Sequence, residues 1–204
     1  MALFPRFELL DVFGPLEMFG YVPNLEIALI AAAPGPVSST QGPAIVAEHS
    51  FEAAPPLDIL LVPGGLGTRA LVDDADMVSW IAARGAATDL VLSVCTGAAL
   101  LARAGLLDGR RATSNKRAFG WVVEQGPDVQ WVKEARWVWD EKFVTSSGVA
   151  AGIDMTLAVI AHLCGEDFAQ SLANQTEYDW QCDSDRDPFA RIHGLVDGPG
   201  TEHE

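Results

Sequence analysis

The stretch Leu90-Val91-Leu92-Ser93-Val94-Cys95-Thr96-Gly97-Ala98-Ala99-Leu100-Leu101 is an apolar, β-rich run that meets a cysteine and passes at once into small, helix-compatible residues. A strand that ends directly at a helix start holds the intervening residue on a sharp turn, with its side chain outside the strand's pleat. The free N–H groups and positive dipole end of the following helix then point at the sulfur, which favours the thiolate over a free thiol of pKa about 8.5. Thr96, Gly97 and Ala98 are slim enough for a tight turn and for a substrate to approach. The competing reading is that Cys95 is only a small core residue at a strand end.

Outward from this turn, short β-rich runs alternate with segments of helical period, the signature of βαβ units around a mostly parallel sheet. Strands are expected at Leu25 to Ala32, Ile59 to Val62, Leu90 to Val94 and Phe143 to Thr145, with more clearly alternating edge strands or hairpins at 37–39, 45–48 and 129–138. Helices are expected at Pro15 to Tyr21, Met77 to Gly85, Gly97 to Ala104, Arg117 to Gln125, Gly152 to Cys164 and Glu166 to Tyr178. Met1 to Leu3 is short for a first strand. The apolar periodicity stops after Asp179, so one domain over 1–182 and an extended C-terminal tail over 183–204 are expected.

With 49% hydrophobic and 20% charged residues, 204 residues suffice for one sizeable core. The formal net charge is −15 and the thirteen Lys and Arg are scattered, so no basic stripe exists for phosphate contacts and nucleic acid is an unlikely partner. The apolar run from Leu25 to Ala33 contains Glu26 and ends at Pro34-Gly35-Pro36, far short of the roughly 20 residues of a membrane span. Cys95, Cys164 and Cys182 are an odd count without metal-ligand spacing, which fits a reduced cytoplasm and no metal.

Two further segments carry chemistry. Val62-Pro63-Gly64-Gly65-Leu66-Gly67 follows a strand, and its glycines could present backbone N–H groups as an anion hole at the carboxyl end of the sheet, beside Cys95. In Phe7-Glu8-Leu9-Leu10-Asp11-Val12-Phe13-Gly14-Pro15, Asp11 stands among apolar neighbours, where a carboxyl tends to hold its proton. Its place four residues before a proline equally suits a helix cap.

Together with Gly105-Leu106-Leu107-Asp108-Gly109-Arg110-Arg111-Ala112-Thr113 and Thr145-Ser146-Ser147-Gly148-Val149-Ala150-Ala151-Gly152-Ile153-Asp154, these motifs resemble the ThiJ/PfpI superfamily from Phe4 to about Tyr178. The resemblance implies an α/β, flavodoxin-like doubly wound sandwich with the nucleophile at an elbow. Within the superfamily the chain looks like isocyanide hydratases and like the sensor domains of arabinose-regulator-type transcription factors. The hydratase resemblance implies Cys95 as nucleophile, Asp11 as its acidic neighbour, Thr96 beside it, stabilising N–H donors at Gly64 and Gly65, a structural Asp154, no cofactor and a homodimer. Protease-like and glyoxalase-like branches carry a His directly after the Cys or near position 115; here Thr96 and Ser114-Asn115-Lys116 stand there. His49, His162, His193 and His203 lie away from every motif, which argues against a Cys-His dyad.

Three readings follow. The first is a lyase in which Cys95 adds to an isocyanide, Asp11 supplies the proton and water resolves the thioimidate to an N-substituted formamide. The second is a non-catalytic small-molecule or redox sensor with an oxidisable Cys95. The third, motivated only by the superfamily, is glyoxalase-type removal of dicarbonyls. Trp121, Trp131, Trp137 and Trp139 read as packing, a dimer contact or a roof over Cys95.

Overall fold

The computed structural model describes residues 1–197. Its centre is a four-stranded sheet of β5 (Ile59–Val62), β6 (Leu90–Ser93), β9 (Trp137–Asp140) and β10 (Phe143–Ser146), in the order β5-β6-β10-β9. The first three neighbours run parallel and only β9 is antiparallel, as the β-α alternation predicts. Leu60, Leu61, Val91, Leu92 and Val144 are buried, which is why these runs are continuously apolar rather than alternating.

Met1 to Leu3 extends the sheet beyond β5. The Ala2 N–H donates to Leu61 O at 2.9 Å and the Leu3 N–H to Ile30 O at 2.6 Å, which brings in β1 (Ile30–Ala31) and its parallel partner β4 (His49–Ser50). The expected strand over Leu25 to Ala32 is therefore only two residues long; 25–29 form no ladder. The alternating segments become a hairpin, β2 (Gly35–Ser38) with β3 (Ala44–Ala47), and a small parallel pair, β7 (Arg111–Ala112) with β8 (Gln130–Trp131). The expected single stretch over 129–138 is thus split between β8 and β9.

Helices α1 (Leu9–Gly20), α6 (Ala151–Cys164) and α7 (Glu166–Gln175) pack together in one layer. The other layer holds α2 (Thr68–Leu71), α3 (Ala75–Ala87), α4 (Gly97–Arg103) and α5 (Phe119–Gln125). Asp74 starts α3 by accepting from Met77 N–H at 2.9 Å. Helix α1 begins six residues before its expected start and carries Pro15 inside it. Proline there removes one helical hydrogen bond, but buried Val12 on one side of it and Met18 and Phe19 on the other anchor both halves.

The segment expected as an extended tail is ordered where described. Ser184 O accepts from the Arg136 and Trp137 N–H groups, Asp187 N–H donates to Glu134 O at 2.7 Å, and α8 (Phe189–Ile192) follows. Buried Asp154 fastens the preceding stretch: it takes Arg136 Nε at 2.7 Å, Tyr178 O–H at 3.1 Å and Gln181 N–H at 3.0 Å. Residues 198–204 of that expected tail lie outside the described residues, and His203 with them. Among the described residues no helix is long and apolar enough to cross a membrane.

Candidate active site

Cys95 sits between β6 and α4 with φ +57°, a left-handed conformation costly for a residue with a Cβ. Three bonds hold it. Its N–H donates to Ser147 O at 3.2 Å, its carbonyl accepts from Ser114 Oγ at 2.6 Å, and the next N–H but one, of Gly97, returns to Val94 O at 2.9 Å. Gly97 is required because a Cβ there would stand 2.8 Å from Pro63 O. The elbow expected from the sequence is thus present, with only 6% of Cys95 exposed.

Asp11 decides between its two sequence readings. It lies inside the first turn of α1, and its carboxyl caps no helix: Oδ2 accepts from the Gly64 N–H at 2.8 Å, while Oδ1 is buried without a partner. A Cβ on Gly64 would stand 2.6 Å from Thr96 N and 2.9 Å from Asp11 Oδ2, so the bare glycine lets the acid approach the elbow. Complete burial raises the Asp11 pKa well above 3.8, with Glu8 adding and the Gly64 and Cys95 hydrogen bonds opposing. Burial therefore favours the neutral acid form of Asp11 in the first turn of α1.

The sulfur is not the ready thiolate that the helix terminus alone suggests. Burial raises the Cys95 pKa well above 9.0, an ionised Asp11 would raise it further, and the Thr96 backbone and side-chain hydrogen bonds oppose only in part. Desolvation is the largest of these effects, and the helix that follows is only seven residues long. The resting site holds a thiol beside a carboxylic acid.

Gly64 and Gly65 turn their N–H groups inward instead of into the hollow. Gly64 donates to Asp11, and Gly65 donates to Thr96 Oγ1 at 3.0 Å. Thr68 Oγ1 lies 3.1 Å from Thr96 Oγ1 and donates to Gly65 O at 2.7 Å. The Gly-Gly loop is thus a scaffold that orients Asp11 and Thr96, and an anion hole at its N–H groups is not formed. The Thr96 hydroxyl proton is shared between the Gly65 carbonyl, at a long 3.4 Å, and the Cys95 sulfur.

Four further neighbours were given no site role by the sequence. A Cβ on Gly148 would overlap Asn115 Nδ2 and stand 3.2 Å from Cys95 Sγ, so Gly148 and Asn115 both border the sulfur. Ser114 fixes the elbow's carbonyl from 19 residues away. Arg69 lies over the Trp121 ring at 3.5 Å from its centroid, near enough to Cys95 for its charge to favour a thiolate when one forms. Trp139 packs edge-on against His162 of α6 and Trp137 is buried at the sheet edge. Among the described residues no three His, Cys, Asp or Glu side chains converge to hold a metal ion. A hollow of about 670 Å³ lined by Phe19, Leu25, Leu57 and Asp58 opens at the opposite end of β5 from Cys95 and carries no cysteine.

A parallel sheet with helices on both faces and a cysteine at a strand-to-helix elbow defines a flavodoxin-like cysteine-site protein, and the chain belongs to the DJ-1/PfpI family, whose profile matches residues 1–162. It is similar to the isonitrile hydratase of Pseudomonas putida, 36% identical over 176 residues that make up 86% of this chain and 76% of that protein. A ThiJ/PfpI family protein from Pseudomonas syringae superposes with a TM-score of 0.82 at 35% identity, over 88% of this chain and 74% of that one. Similarity also extends to the HTH-type transcriptional regulator CdhR of Pseudomonas aeruginosa, 31% identical over 72% of this chain but only 43% of the regulator.

Proposed function

We propose that the protein is an isocyanide hydratase-like lyase acting on a small molecule in the cytoplasm, with neither nucleic acid nor membrane as partner. The observation that carries this reading is the placement of the buried Asp11 carboxyl beside the buried Cys95 thiol at the elbow, where burial raises the pKa of both and favours their protonated forms. Such a pair delivers a nucleophile and a proton together and needs no imidazole. The 36% identity to an isonitrile hydratase supports the same choice.

In this reading the terminal isocyanide carbon forms a bond to Cys95 Sγ and takes a proton from Asp11, while the thiol proton passes to the carboxylate, giving a thioimidate R–N=CH–S. Water then adds at that carbon, the nitrogen gains a proton, and the C–S bond breaks to release R–NH–CHO and restore the thiol. The reaction consumes one water and needs neither cofactor nor metal. Thr96 steadies the sulfur from its N–H and hydroxyl.

Leu10 and Phe13 occupy neighbouring positions on one side of α1 and are each 40% exposed, which supports a homodimer contact on the helix that carries Asp11. The redox-sensor alternative is weakened by the same burial, because oxidation needs an exposed thiolate. A steady-state assay with a simple aryl isocyanide tests the reading. Formamide from the wild type and none from Cys95→Ala is expected; no formamide, or undiminished turnover in Cys95→Ala, contradicts it.

A further inference from the structure

Asn115 is fixed in a way that leaves one half of its amide to the site. Its Oδ1 accepts the Ala118 N–H at 2.9 Å and closes the turn that leads into α5. This bond settles which end of the amide is oxygen, since only the oxygen can accept. The Nδ2 end therefore points away from the turn, and among the described residues it has no hydrogen-bond partner. One point in space, the Cβ position of Gly148, overlaps Nδ2 and lies 3.2 Å from Cys95 Sγ. Nδ2 and Sγ are therefore both neighbours of the same point beside Gly148, which puts the amide within reach of an atom carried on the captured carbon. The side chain is half-buried, so ligand can reach it.

The rest of the site lacks a substitute. The Gly64 and Gly65 N–H groups are spent on Asp11 and Thr96, and the Thr96 N–H serves the sulfur itself. The Thr96 hydroxyl is shared between the Gly65 carbonyl and the sulfur, and the Asp11 proton is called on by the isocyanide carbon, which leaves the Asn115 amide as the uncommitted donor for the oxygen that arrives with water.

We propose that Asn115 is a catalytic hydrogen-bond donor whose Nδ2 binds the oxygen of the tetrahedral adduct formed on Cys95. The identity of that adduct as R–NH–CH(OH)–S rests on the hydratase reading. The placement of the donor beside the captured carbon does not. A preorganised donor aimed where a negative oxygen develops is worth about 10²- to 10³-fold in kcat.

Two substitutions separate the donor from the turn. Asn115→Asp keeps an oxygen for the Ala118 N–H and removes the donor, and Asn115→Ser keeps a short acceptor without adding charge. Both proteins are expected to melt close to the wild type, and both are expected to lose about 10²-fold in formamide turnover with KM little changed. The second measurement is the reversible addition of a simple aldehyde, in which the thiol S–H adds across C=O to give a thiohemiacetal S–C–OH. Its affinity at Cys95, read by intact mass after titration, is expected to fall about tenfold in both variants. Loss of adduct affinity in both variants sustains the proposal even where the wild type makes no formamide, an outcome that removes only the hydratase reading. Wild-type adduct affinity in either variant, turnover within threefold of wild type in Asn115→Ser, or no adduct on the wild type overturns the proposal.

Discussion

Asp11 Oδ2 accepts the Gly64 N–H at 2.8 Å, and the Cys95 thiol is the other group within hydrogen-bonding reach of the buried carboxyl. A carboxylate in that place would have at most these two donors to replace the water lost on burial, which favours the neutral acid and keeps its proton at the elbow.

Asp11→Asn therefore separates chemistry from stability. Asparagine keeps the acceptor for Gly64 but has no transferable proton, so formamide turnover is expected to fall about 10²- to 10⁴-fold. The stability effect has the opposite sign. The folded pKa of Asp11 is raised above the unfolded value of 3.8, so its favourable contribution is complete below 3.8 and is lost as pH rises toward the folded value. The melting temperature of Asp11→Asn relative to wild type is expected to climb between pH 4 and pH 7; a pH-independent difference would contradict the assignment.

Cys95 is expected to be a slow thiol toward general alkylating agents. Burial raises its pKa well above 9.0 and so keeps it protonated at neutral pH, while Cys164 is exposed. Iodoacetamide at pH 7 followed by peptide mapping should label Cys164 well before Cys95, with Cys95 labelling rising steeply only at alkaline pH. Labelling of Cys95 ahead of Cys164 would restore the thiolate reading.

Gly148→Ala tests the crowding around the sulfur. The added methyl collides with Asn115 Nδ2 and reaches 3.2 Å from Sγ, so one of these side chains must move. A loss of about 1–3 kcal/mol in denaturant unfolding is expected. Turnover should fall at least tenfold while Gly120→Ala, where a Cβ meets nothing, leaves it unchanged.

The C-terminal fastening is a separate matter from catalysis. Arg136 Nη2 lies 2.5 Å from Asp154 Oδ2, and Tyr178 and Gln181 share the other oxygen. Asp154→Ala leaves the largely buried Arg136 cation unpaired and frees the 178–181 stretch, at a cost of about 3–5 kcal/mol in urea unfolding. Loss below 1 kcal/mol would show that the cation finds solvent.

The parts of the site that were legible in sequence are those set by neighbours along the chain. The elbow follows from an apolar strand abutting small residues at Cys95, and the parallel sheet from β-α alternation. What stayed hidden is set by distant bonds. Nothing local reveals that the Gly64 and Gly65 N–H groups face inward, because their acceptors lie 53 and 31 residues away. The same holds for Ser114 and Asn115, which reach Cys95 only once the loop after β7 folds back over the elbow. The polar composition after Asp179 reads as a free tail, yet Ser184 and Asp187 supply backbone partners to the 134–137 loop. The expected thiolate failed because helix dipole and burial act in opposite directions, and only the structure shows that burial is nearly complete.

The central claim is covalent capture at Cys95, and mass spectrometry of the peptide carrying it tests that claim most directly. Wild-type protein mixed with an aryl isocyanide and quenched in acid within milliseconds should show a gain equal to one whole isocyanide, since the thioimidate forms without losing an atom. Formamide accumulating while that peptide keeps its unmodified mass at every time point would contradict the account.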